Sequence, residues 1–199
     1  MNQNFFHAVF VAAFFAFLLI RAFYFEKARR EQGRVEFKEG NRHKALRAVF
    51  GIPFMLAFAV YIFYPPVLAW ADVDLPEWAQ WLGVALGIAS IPLILWTHRA
   101  LGANFSTTLH VRDEHTLVTE GPYRWVRHPM YAVLFIHFGA IALLTQNWFV
   151  GGFFLAALTL IVVTRVQNEE TAMTEKFGDT YREYIQRTGR FFPRGLTTK

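Results

Sequence analysis

Cysteine is absent from the 199 residues, which excludes a disulfide scaffold, thiolate-bound zinc, iron–sulfur clusters and thiol catalysis. Charge is missing from long stretches. Met1–Ile20, Ala48–Ala71, Trp78–Thr97 and Pro129–Thr164 contain no Asp, Glu, Lys or Arg; together they cover 100 residues, so all 35 charged residues fall in the other 99. Soluble globular chains do not segregate charge in this way, and uncharged apolar windows of about 18 residues or more read as membrane spans. No Gly-x-Gly-x-x-Gly fingerprint occurs, which removes the usual dinucleotide-binding fold. No internal repeat is present, which argues against a transporter built from inverted halves. The absence of charge inside these windows argues against an ion or proton pathway. What the chain has in quantity is aromatic: 22 Phe, 7 Tyr and 6 Trp, a load incompatible with disorder.

At about 1.5 Å per residue the window Pro129–Thr164 would make a helix of roughly 54 Å, well beyond a hydrocarbon core of about 30 Å. Its one polar cluster, Thr145-Gln146-Asn147, therefore marks a hairpin. Five spans follow, over about 4–24, 46–70, 78–97, 130–144 and 148–165. The fold class is an all-α integral membrane protein, a single domain over 1–199 whose last two spans form a helical hairpin. Basic residues test the count. Nine Lys and Arg fall from Arg21 to Arg47, four from Arg99 to Arg127 and seven from Arg165 onward, each group between or after the uncharged windows, which accounts for all 20. None falls at the other end, where Asp72, Asp74 and Glu77 lie. The positive-inside rule then puts the N-terminus outside and the C-terminus in the cytoplasm. Trp70, Trp78, Trp81 and Trp148 sit at outer boundaries, and Trp96 and Trp125 at inner ones, as an aromatic belt requires. The net charge of +5 is an orientation signal, so no nucleic-acid partner is expected. The first span lacks the basic start and cleavage site of a signal peptide. Gly83 and Gly87 in span three form a small-residue face for close helix packing.

Chemistry is confined to the cytoplasmic segments and the inner ends of the spans. One dense polar stretch runs from Gly102 through His110 and on from His115 to Tyr131. Ser106–Val111 and His115–Thr119 read as short extended pieces, Gly121-Pro122 as a turn, and Pro129 as the first residue of span four, with His128 at its N-cap. The start of that helix attracts carboxylates and other anions. The second stretch is Arg165-Val-Gln-Asn-Glu169-Glu170. Arg165 and Glu169 share a helix face; an Arg there clamps a carboxylate or phosphate, and a Glu beside it holds an ammonium. Each stretch also has a plain structural reading, an ordinary helix start and an i,i+4 ion pair with a snorkelling Arg. The tail Phe177–Pro193 carries Tyr and Phe at helical spacing and either lies on the membrane surface or closes over the site. These residues make a pocket of His, Tyr, Arg and Glu for a zwitterionic or anionic ligand, without specifying a reaction.

At His115-Thr-Leu-Val118, Gly121-Pro-Tyr123, Arg127-His-Pro-Met-Tyr131, Glu169-Glu170 and the Phe-Gly-x-x-Tyr-x-x-Tyr tail ending in Phe-Pro, the chain resembles the isoprenylcysteine carboxyl methyltransferase family. That family sits within the wider group containing phospholipid N-methyltransferases. The resemblance spans roughly residues 98–194. It implies an integral membrane methyltransferase that uses S-adenosylmethionine and releases S-adenosylhomocysteine, with its cofactor pocket on the cytoplasmic face. By position, His115, Thr116, Leu117, Val118, Tyr123, His128, Pro129 and Tyr131 would line the pocket, with His110 as a further polar contact. Glu169 would hold the amino group of the methionine moiety and Arg165 the acceptor's carboxylate.

The resemblance further implies carboxyl O-methylation of an isoprenylcysteine-like acceptor by in-line displacement, with alignment and water exclusion as the protein's main tasks. A carboxylate acceptor needs no base; an amine or thiol would need one, for which His128 and Glu170 are candidates. No metal is called for. The partners expected are membrane lipids and a lipophilic or lipidated acceptor entering from the bilayer, in the inner or plasma membrane if the source is prokaryotic. Three alternatives stand beside this reading: a phospholipid amine N-methyltransferase, an NADPH-dependent sterol-type reductase, and a non-catalytic membrane binding protein.

Overall fold

The computed structural model describes residues 2–32, 52–102 and 116–194. Its helices are α1 (Asn2–Gln32), α2 (Ile52–Phe63), α3 (Glu77–Leu101), α4 (Pro129–Thr145), α5 (Trp148–Phe177) and α6 (Asp179–Arg187), with 3-10 turns at Pro65–Ala71 and Gly121–Arg124. Among the described residues there is no strand, only isolated bridges between Asp72 and Asn147 and between Val126 and Gly189. Three of the helices, α1, α3 and α5, are long and apolar enough to cross a membrane, and α4 is a shorter apolar helix.

The hairpin expected at Thr145-Gln146-Asn147 is present. Gln146 takes the left-handed conformation that ends α4, and the Asn147 side chain caps α5 by accepting from Val150 N at 3.0 Å. The same Asn147 donates to Leu68 O and Asp72 Oδ1, both at 2.8 Å, while Gln146 donates to Leu75 O at 2.9 Å. The turn is thereby tied to the loop that carries the acidic residues.

The expected span over 46–70 requires correction. It is described from Ile52, and its helix ends at Phe63, after 12 residues or about 18 Å. Pro65 and Pro66 remove two backbone donors, and a residue preceding proline is driven out of the α region; Tyr64 accordingly has φ −148° and ψ 69°. The chain continues as a 3-10 turn. Hydropathy alone does not register that break. Span five also differs, because its helix continues past Arg165 to Phe177 once polar residues replace apolar ones. Thr116–Thr119 belong to no helix or strand, and His115 and Ser106–Val111 lie outside the described residues.

Packing is close where side chains are smallest. A Cβ on Gly83 would meet Leu144 Cγ at 3.0 Å and Ala140 O at 3.1 Å, and one on Gly87 would touch Ala13 and Ala140. The small-residue face of α3 thus seats α4 on one side and α1 on the other. Phe6, Phe10, Phe58, Tyr61, Ile141 and Leu144 form an aromatic-rich core toward the acidic end. Phe17, Ile94 and Val133 continue it toward the basic end. Between the two, buried His137 pairs with Ser90 Oγ at 3.0 Å and stacks on Phe17 at 3.8 Å, so an intramembrane polar group has a partner. At the basic end, Tyr24 of α1 stacks on His98 of α3 with ring centroids 4.5 Å apart, and Arg21 Nη1 reaches Met130 Sδ at 3.3 Å.

Candidate functional site

The site is assembled where α4 begins. Gly121 has φ +57°, and a Cβ there would meet Ala100 Cβ at 2.9 Å and the Trp96 indole nitrogen at 3.3 Å. Only glycine lets the chain turn this tightly against α3. The Gly121–Arg124 turn then buries Tyr123, whose carbonyl accepts from the Tyr184 hydroxyl at 2.6 Å. Burial pushes the Tyr184 phenol up to about 12, so it stays protonated as the donor. Pro129 occupies the first position of α4, with His128 as its N-cap residue. The His128 side chain does not cap the helix; it turns toward α5 instead.

The tail does close over the site. Arg127 N donates to Gly189 O at 2.8 Å, His128 N to Arg190 O at 3.0 Å, and Gly189 N to Trp125 O at 3.1 Å. Residues 125–128 and 189–190 are therefore held side by side. Helix α6 buries Tyr181 and Tyr184, and Phe191 packs with Tyr131 against Leu158, Val162 and Val166.

Glu169 and Glu170 are adjacent in sequence and opposite in circumstance. Glu170 Oε1 accepts from Arg127 Nε at 3.1 Å, from His128 Nε2 at 3.2 Å and from Arg190 Nε at 3.2 Å. Its second oxygen accepts from Arg190 Nη2. Only 8% of the side chain is exposed. Burial by itself would raise its pKa, but the hydrogen bonds from His128, Arg190 and Arg127 outweigh that and hold the carboxyl at about 2. It is an acceptor with no remaining capacity. Glu169 is 25% exposed, accepts from the Tyr131 hydroxyl at 2.9 Å, and lies 3.3 Å from Arg165 Nη2. His128 stands between the two carboxylates, its Nδ1 3.7 Å from Glu169 and its Nε2 on Glu170.

The structure thus brings together His128, Pro129, Tyr131, Arg165, Glu169 and Glu170, with Tyr123 below them. Thr116 is exposed and Leu117 and Val118 half-buried in the segment leading to Gly121. His110 and His115 lie outside the described residues. Sequence reasoning gave no site role to Arg127 or Arg190, although Arg127 opens the Arg127-His-Pro-Met-Tyr131 motif. Arg127 also donates to Ile185 O and Thr188 O at the end of α6. A signal existed in its position directly before His128, but its carboxylate partner is 43 residues away.

The model of the isoprenylcysteine carboxyl methyltransferase (ICMT) family matches residues 82–175, from α3 through the Glu169-Glu170 pair. The Bacillus subtilis protein YpbQ is 26% identical over 151 residues, covering 75% of this chain and 84% of that one. The protein-S-isoprenylcysteine O-methyltransferase of Xenopus laevis is 30% identical over 130 residues, covering 63% of this chain and 45% of that enzyme. The chain thus spans about half the length of that relative. The solved eukaryotic intramembrane Ras methyltransferase ICMT superposes with a TM-score of 0.54 at 24% identity, over 79% of this chain and 55% of that one. This likeness carries the fold, that of an integral membrane protein. Through its residues 82–175, the chain thus resembles the isoprenylcysteine carboxyl methyltransferase family.

Proposed function

We propose that the chain is a methyltransferase that moves a methyl group from S-adenosylmethionine to a lipophilic acceptor at the cytoplasmic boundary of the membrane. The acceptor class that fits best is an isoprenylcysteine-like carboxylate. The observation that carries the reading is the division of labour between Glu169 and Glu170. Glu170 is saturated by three cationic or donor side chains, whereas Glu169 is partly exposed and retains room for an ammonium.

The donor set suits the cofactor. Glu169 would hold its amino group, with the Tyr131 hydroxyl fixing the carboxylate's orientation at 2.9 Å. Tyr123, Pro129 and the segment from His115 to Val118 would line the remainder, with His110 nearby. Arg165 would face the acceptor's carboxylate. When bound, S-adenosylmethionine supplies a methyl group already activated on a sulfonium. Glu170 serves as a positioning residue: through Arg127, His128 and Arg190 it holds the start of α4 against the tail. Phe191 and the Leu158, Val162 and Val166 cluster keep water from one wall. A cofactor rich in phosphate would need free arginines, and Arg127 and Arg190 are already engaged by Glu170.

With the basic end of the bundle in the cytoplasm, a membrane-borne acceptor would reach this pocket laterally. Titration of the purified protein with S-adenosylhomocysteine, with NADPH in parallel, tests the reading. Saturable binding of the first alone supports it, and binding of NADPH alone overturns it. A cysteine placed at Gln146 should be labelled from outside and one at Glu120 only from inside.

A further inference from the structure

Arg21 of α1 reaches the start of α4. It follows Phe17 and Ile20 along the helix that contributes to the Phe17, Ile94 and Val133 cluster, with Met130 and Leu134 beside it. Its guanidinium is half-buried, and its hydrogen-bond partner is the Met130 thioether at 3.3 Å. A thioether is a weak acceptor and does nothing for the charge. Among the described residues no carboxylate pairs with Arg21. Arg165 has Glu169 at 3.3 Å, and Arg127 and Arg190 have Glu170.

Among the described residues the local charge balance is therefore positive. Arg21 and Arg165 both act electrostatically on the Tyr131 phenol, against the single charge of Glu169. The N-terminal end of α4 adds positive potential. A guanidinium held at a membrane boundary without a counter-charge is costly unless an anion joins it. Binding of the proposed cofactor sharpens the imbalance, because it brings an ammonium and a sulfonium with one carboxylate.

We infer that Arg21 binds the oxyanion of the methyl acceptor, from the α1 side of Tyr131 and opposite Arg165, and so selects a carboxylate over a neutral or amine headgroup. This rests on the methyltransferase reading above but assigns a residue on α1, outside the stretch matched by the family. The guanidinium fork suits a planar carboxylate. A lipid headgroup phosphate offers the same oxyanion chemistry, so the test separates the two.

The full chain in phosphatidylcholine nanodiscs is titrated with N-acetyl-S-farnesylcysteine and with its methyl ester, which lacks the charge. The wild type should bind the acid at least about tenfold more tightly than the ester. Arg21→Gln should abolish that preference by weakening the acid alone, with S-adenosylhomocysteine affinity unchanged as the check on folding. Arg21→Lys should keep part of the preference and serves as the variant if Arg21→Gln does not fold. Arg30→Gln, on the exposed face of α1 where Arg30 pairs with Glu26, should behave as wild type.

A preference that survives in Arg21→Gln, or that the wild type lacks, overturns the assignment. So does retention of phosphatidylglycerol that Arg21→Gln alone loses while the acid preference stays intact; the site would then hold a lipid headgroup. Binding is read without turnover. A preference that depends on Arg21 but comes with no methyl transfer therefore refutes the proposed reaction and leaves the anion site standing. Methyl transfer with a preference independent of Arg21 does the reverse.

Discussion

The two ends of the helical bundle are both built from polar residues, and they close differently. At the acidic end, Asn147 caps α5 and donates to Leu68 O and Asp72, while Gln146 donates to Leu75 O. Each amide has short, neutral or singly charged partners. At the basic end, Glu170 is saturated, yet Glu169 is partly exposed and Arg21 has a thioether for a partner. The first end is a clasp. The second holds a clasp and, one residue away, an incomplete charge balance that a ligand can complete. Matched polar groups stabilise a fold, and incompletely matched ones at a membrane boundary mark where binding energy is available.

The largest effect expected from breaking this comparison is at Glu170. Glu170→Ala leaves Arg127 and Arg190 without their carboxylate, and loss of a buried ion-pair partner costs about 3–5 kcal/mol. Thermal unfolding in detergent should show a large fall in Tm. The same group sets an acid limit. Its folded pKa of about 2 lies below the ordinary carboxylate value of 4.5. Its stabilisation is therefore complete above the ordinary value and lost as pH falls from there toward the folded one. Glu170→Gln should flatten that part of the Tm-against-pH curve.

Glu169→Gln comes next and should separate function from fold. It keeps the shape and removes the charge that would hold an ammonium, at a cost of about 1.5–3 kcal/mol in binding. S-adenosylhomocysteine affinity should fall by roughly ten- to a hundredfold with Tm nearly unchanged; an unaltered affinity would assign the ammonium elsewhere. Arg165→Ala should lower kcat/KM for a carboxylate acceptor by about tenfold or more while S-adenosylhomocysteine affinity holds within a few-fold. Full activity in that variant would remove Arg165 from the acceptor site. The smallest effect belongs to the acidic end. Asn147→Ala should cost about 1–2 kcal/mol of stability through the lost cap and leave cofactor affinity untouched.

Much of the site was legible because it depends on local chemistry. The Gly121-Pro122 turn, Pro129 at the start of α4, His128 at its N-cap and the break at Gln146 follow from φ restrictions and polar interruptions within a few residues. The Arg165–Glu169 pair follows from helical spacing. What escaped involves partners far apart in the chain. Arg127 meets Glu170 and the carbonyls of Ile185 and Thr188, and Arg190 returns to Glu170. Neither pairing has a periodic signature. The second span was misjudged for another reason: an apolar window continues through Pro65-Pro66, whereas a helix cannot.

The sequence by itself determined that this chain lives in a bilayer, where α4 begins and its hairpin turns, and which end gathers the basic residues. Those properties come from transfer free energy and backbone sterics, which act residue by residue. Only the tertiary structure decided which of two neighbouring glutamates is saturated and which is open, and that Arg21 reaches the start of α4 with no carboxylate partner among the described residues. Charge balance is a property of three-dimensional neighbours, and one residue of helical rotation, about 100°, is enough to send adjacent carboxylates to different ones.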